Sequence, residues 1–154
     1  MSLNTFSAFV DFAIRSESSG LEYFIRSEGE LNGRGRDALR RFGAEAEKNV
    51  RQLRAVLREN VTELVMEPCA AIDESCYISA CLPAGAAQAG ERSRADLPGT
   101  SQAPDWKHSL AILEKQRDFL RAAAKAVNLR EVRRTFEKMA DTKDRLLLEY
   151  GQPH

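Results

Sequence analysis

Apolar residues return at intervals of three and four along four stretches of this chain, a period that is helical in each. In the first, over residues 5–26, Phe6, Phe9, Val10, Ala13, Leu21 and Phe24 share one face, with Glu17 at its centre. The second, 36–64, carries Leu39, Phe42, Ala46, Val50, Leu53, Val56, Leu57, Val61 and Leu64. The third, 105–127, turns Trp106, Leu110, Leu113, Leu120, Ala124 and Val127 inward. The fourth, 130–150, is built on Phe136, Met139, Leu146 and Tyr150, with Lys143 among them. Gly20 weakens the first helix and is read as a small residue needed for close packing. Asn49 and Asn60 interrupt the second stripe, where a polar residue sets register or partner choice. No segment alternates as a half-buried strand does, so none is expected.

The breaks between stripes set the connections. Gly29, Gly33 and Gly35 make a short first turn, Asn128 breaks the third segment from the fourth, and Gly151 and Pro153 stop the last. Residues 67–104 lose all periodicity and hold Pro68, Pro83, Pro98 and Pro104. Residues 70–82 in this stretch are compatible with a short helix. Short turns give antiparallel hairpins, so the expected fold is all-α: two antiparallel hairpins joined by a long crossover, in one domain over residues 1–154.

Composition narrows the function classes. The formal net charge of zero gives no basic footprint for nucleic acid. Clustered arginines such as Arg34, Arg36, Arg40 and Arg41 alternate with acids, as on a solvated helix face. No stretch has the apolar length of a membrane span. The first residues lack a basic region followed by an apolar core, so no signal peptide is expected, and the cytoplasm is the expected location. Three cysteines, an odd number, fit a reducing compartment. The spacing of Cys69, Cys76 and Cys81 matches no zinc or iron–sulfur pattern. They are either ordinary thiols or a redox-sensitive or metal-binding loop, with Asp73 and Glu74 nearby.

The candidate chemistry lies on the stripes. Phe136, Lys143 and Tyr150 stand at nearly two-turn intervals and point the same way. An ammonium on a buried face needs an opposite charge. Glu17 is placed on the first stripe as Lys143 is on the fourth. The bland alternative is a lysine whose stem lies along the surface with its head in solvent.

The two halves of the chain also look alike. Residues 13–18 (Ala-Ile-Arg-Ser-Glu-Ser) read like residues 110–115 (Leu-Ala-Ile-Leu-Glu-Lys), and residues 44–50 read like 140–146. This order resembles the rubrerythrin branch of the ferritin-like superfamily. That family holds two iron atoms with a Glu on helices one and three and a Glu-x-x-His on helices two and four. The resemblance implies ligand positions at Glu17, Glu47 and Glu114. It also implies that Val50, Lys143 and Leu146 replace the remaining ligands. No C-x-x-C pair is present, so the rubredoxin-type iron site is missing. Glu47 and Glu114 lie at stripe edges and read equally well as surface acids.

The expectation is a ferritin-like bundle with a degenerate metal site, in which Lys143 supplies the positive charge and Glu17, Glu47 or Glu114 answers it. A non-catalytic binding or assembly role follows, with no cofactor required. The alternative is a rubrerythrin-type oxidoreductase that binds iron, or another divalent metal, through an altered carboxylate set. A pocket in the bundle core for a small molecule is a third reading. The second helix is longer than the first, and a projecting apolar stripe would suit a homodimer or another protein partner.

Overall fold

Thr5 marks the junction at which the chain changes from strand to helix. The computed structural model describes residues 2–29, 33–59, 68–77 and 102–151. Strand β1 (Ser2–Thr5) leads directly into helix α1 (Phe6–Glu28). Thr5 keeps extended backbone angles, and its Oγ1 accepts the Ala8 N–H at 3.1 Å. That bond satisfies one of the orphan donors of the first turn. Helix α2 (Gly33–Glu59) begins at a glycine with φ of 58°, a left-handed conformation that costs glycine little. Strand β2 (Pro68–Asp73) and a 3-10 turn (Glu74–Tyr77) follow. Helices α3 (Gln102–Ala126) and α4 (Arg130–Tyr150) complete an all-α four-helix bundle.

Contacts fix the directions of the helices. Arg40 at the start of α2 pairs with Glu28 at the end of α1. Arg34 donates to the Glu149 carbonyl and Arg41 to the Tyr150 hydroxyl, so the start of α2 meets the end of α4. Tyr23 stacks near His108, whereas Phe9 and Phe12 meet Phe119, so α3 descends beside α1. Arg133 returns along α4 to cap the Ala124 and Val127 carbonyls near the end of α3. Every neighbouring pair is therefore antiparallel.

The core is in two parts. One cluster, around Phe6, Phe9, Phe12, Phe119, Phe136 and Met139, fills the end where α1 starts. The other, around Phe24, Leu39, Phe42, Ile112, Leu146 and Tyr150, fills the opposite end. The predicted stripes supply much of both, but Phe12, Ile112 and Phe119, which lie outside them, are also buried there. Among the described residues, the α2 stripe is packed within the chain as far as Val56 and Leu57. Asn60, Val61 and Leu64 lie outside the described residues, as does the side chain of Trp106.

Two expectations are corrected. A strand pair exists: Leu3 pairs with Ile72 and Thr5 with Pro68, in antiparallel register with an irregularity between. Leu3 and Ile72 bury their side chains against the cluster at that end. The segment 70–82, read as a short helix, begins instead as β2 and the 3-10 turn, and its residues 78–82 lie outside the described residues. The helix bounds otherwise agree with the stripes to within three residues at the described ends. No helix among the described residues is long and apolar enough to cross a membrane.

The Thr5 cap predicts a specific loss. Thr5→Ala should lower stability by about 1 kcal/mol in urea unfolding and speed hydrogen exchange at the Ala8 amide. Unchanged exchange there would show that the cap bond does not hold the helix start.

Candidate functional site

A layer of polar side chains separates the two apolar clusters, one from each helix. Glu17 of α1 lies between Ala13 and Phe24, Asn49 of α2 between Phe42 and Leu53, Gln116 of α3 between Leu113 and Phe119, and Lys143 of α4 between Ala140 and Leu146. Glu17, Asn49 and Lys143 are each 1% exposed, and Gln116 is 3% exposed. Each falls on the inward face because it keeps the helical period of its apolar neighbours.

The bonds run across the bundle. Lys143 Nζ lies 3.1 Å from each Glu17 carboxylate oxygen and 3.0 Å from Gln116 Oε1. Gln116 Nε2 donates to the Ser16 carbonyl at 2.9 Å. Asn49 Nδ2 donates to Glu17 Oε1 at 3.4 Å. The amide of Asn49 is oriented by that carboxylate, because a reversed amide would turn oxygen toward negative charge. Its Oδ1 has no hydrogen-bond partner, the one such buried side-chain atom among the described residues.

Gly20 makes room for this network. A Cβ at that position would stand 2.7 Å from Gln116 Nε2 and 3.3 Å from Ile112 Cγ2. The glycine expected to allow close packing therefore does so, and what it admits is the Gln116 amide on its way to Ser16.

Burial is the largest influence on Glu17 and pushes its carboxyl above the ordinary range; the Lys143 charge and the hydrogen bonds from Lys143 and Asn49 pull the other way. A carboxyl raised on folding favours its protonated form in the native state. Its contribution to stability is thus fully present below the ordinary carboxyl range and is lost as pH rises through the folded value. Asp144, on the outer side of α4, behaves oppositely. Burial tends to raise it, but hydrogen bonds and charge from Arg117 and Arg121 outweigh that and hold it low. It stabilises the fold above the ordinary range and ceases to do so on acidification.

Of the acids proposed to answer Lys143, only Glu17 is in contact with it. Glu47 and Glu114 are on the exposed faces of α2 and α3, so the shared ligand set drawn from Glu17, Glu47 and Glu114 is not assembled. The layer's contributions from α2 and α3 are instead two amides, Asn49 and Gln116. Val50 and Leu146 are both buried, Leu146 within the cluster around Phe24 and Phe42. Lys143 does not reach solvent along its stem. Cys69 is half-buried against the core, Cys76 is exposed with its carbonyl taking a 3.0 Å bond from Lys115, and Cys81 lies outside the described residues. No three His, Cys, Asp or Glu side chains converge as a metal group among the described residues.

The donor chemistry of the layer is a poor match to two iron atoms. It offers one carboxylate and two amides, and its ammonium would repel a cation. Comparison with family models, with curated proteins and with solved structures finds no match.

Removing one charge should expose the other. Lys143→Met should lower stability by about 3–5 kcal/mol at neutral pH. The deficit should shrink on acidification, because Glu17 then takes a proton. The double change Glu17→Gln with Lys143→Met should recover most of the loss. Urea unfolding at several pH values measures all three, and a single variant as stable as the parent at neutral pH would refute the coupling. Gly20→Ala should destabilise by about 1–3 kcal/mol, despite alanine's higher helix propensity. The same change combined with Gln116→Ala should cost less than the separate losses summed.

Proposed function

We propose that this chain is a ferritin-like bundle of rubrerythrin type whose metal centre has given way to a buried Lys–Glu network, and that it acts by binding or assembly rather than catalysis. The observation that carries this reading is the position of Lys143 Nζ. It stands against both oxygens of Glu17 and against Gln116, in a mid-bundle layer fed by all four helices. A ferritin-like protein holds its metals in such a layer. Here a protein cation takes the part that metal charge would take.

The topology lends support. Helix α2 ends beside the start of α1, whereas α3 begins beside the end of α1. The end of α2 and the start of α3 therefore lie at opposite ends of the bundle. The described part of the chain between them climbs along α3, with Tyr77 against Phe119 and Cys76 beside Lys115. One long connection between two hairpins is the ferritin-like arrangement. The acid and base of the layer are too deeply buried to meet a substrate, which favours a structural role for them. For an assembly role, a two-fold homodimer is the simplest form.

Elemental analysis decides between this reading and an iron-binding oxidoreductase. The full chain is purified without chelator after aerobic, iron-supplemented growth. Iron, manganese and zinc should each fall well below one per chain. About two irons per chain, with an oxo-bridge absorption band, would overturn the reading and point to oxygen or peroxide chemistry instead.

A further inference from the structure

A cavity of about 780 Å³ opens along the seam between α2 and α4, on the side of the bundle away from Gln116. Asn49 and Met139 form its inner wall, and charged side chains form its rim. Its size is that of a small-molecule site. The charges at the rim do not balance. Lys48, Lys138 and Arg145 make no ion pair among the described residues. Of the two acids on the rim, Asp141 is engaged by Arg121, which leaves Glu45 alone. Three uncommitted cations face one uncommitted carboxylate, a balance that favours an anion.

The inner wall adds a second requirement. Asn49 is buried, its Nδ2 is committed to Glu17, and its Oδ1 has no partner. An unsatisfied buried acceptor is costly and calls for a donor. Met139 lines the same wall and is buried, so its unbranched side chain has to shift for a donor to enter. A donor that carries positive charge would be disfavoured by the three rim cations, so a hydroxyl suits the position better than an ammonium.

We propose that the α2–α4 cavity binds a small hydroxylated oxyanion, a carboxylate or a phosphate ester, with its anionic group held by Lys48, Lys138 and Arg145 and its hydroxyl donated to Asn49 Oδ1. Thr142, whose Oγ1 accepts from Arg145 at 3.2 Å, holds that guanidinium at the rim. The inference deepens the binding role proposed above and takes from it the commitment of Glu17 to Lys143. Metal content tests that commitment, whereas ligand titration tests the cavity, so the two can fail separately.

The experiment is calorimetric titration of the full chain with matched probes. L-malate is compared with succinate, and glycerol 3-phosphate with propyl phosphate; each pair differs by hydroxyl groups. Inorganic phosphate reports charge alone. At least one hydroxylated probe should bind about tenfold or more tighter than its partner, and which pair shows the gap identifies the carboxylate or the phosphate source. Lys138→Gln, at an exposed position, should weaken both members of that pair equally and leave folding intact. Asn49→Leu should abolish the gap. Amide chemical-shift changes on binding should centre on residues 48–52 and 138–145, a readout that does not depend on how well Asn49→Leu folds. Equal affinity within both pairs, no binding at millimolar probe, or shifts centred elsewhere would each overturn the proposal.

Discussion

The ion pair between Glu17 and Lys143 governs how these four helices can meet. The two charges come from opposite ends of the sequence, 126 residues apart, and both have left water. Such a pair gains little net energy over an apolar pair of similar volume, but separating its members is costly. It therefore discriminates between arrangements more than it stabilises the one that forms. If α1 slid past α4 by one turn, both charges would enter an apolar cluster without a partner. Gln116 and Asn49 extend the same constraint to α3 and α2, so a single layer sets the register of the whole bundle.

The outer face of α4 is organised by a different balance. Asp144 lies between Arg117 and Arg121, partly in solvent, where pairing is cheap and screened. The inner pair and the outer trio respond to acid in opposite directions, as their carboxyl shifts require. Stability over the acidic range is thus a contest between one buried carboxyl that burial pushes up and one half-buried carboxyl that two arginines hold low. The crevice beside α4 places a third kind of charge nearby, the uncommitted cations of its rim.

The apolar periods made the four helices legible, and they made Glu17 and Lys143 legible as a pair because each is centred on its stripe. Asn49 was visible as an interruption, though its role as a carboxylate donor was not. Gln116 fills a gap in the third stripe between Leu113 and Leu120, one turn from each, and that spacing was the available signal. Glu47 and Glu114 were singled out by their likeness to a ligand motif, while their own helical phase turned them to solvent; phase prevails because side-chain direction is fixed by the backbone. The strand pair was hidden for another reason. Residues 2–5 are too few to display alternation, and their partner lies beyond two helices, so only tertiary contact defines the strand.

Gly20 and Gln116 occupy one volume between them. The space that a side chain would fill on α1 is filled from α3, 100 residues on in the Gln116–Ser16 bond. Over generations, the two positions are therefore not free to drift independently. A lineage that acquires a larger residue at position 20 must first shorten position 116. It would then lose the amide that holds Lys143 from the α3 side, so Lys143 or Glu17 would come under pressure to change next. Sequences descended from this one should carry the glycine, the glutamine and the ion pair together, or exchange them as a set.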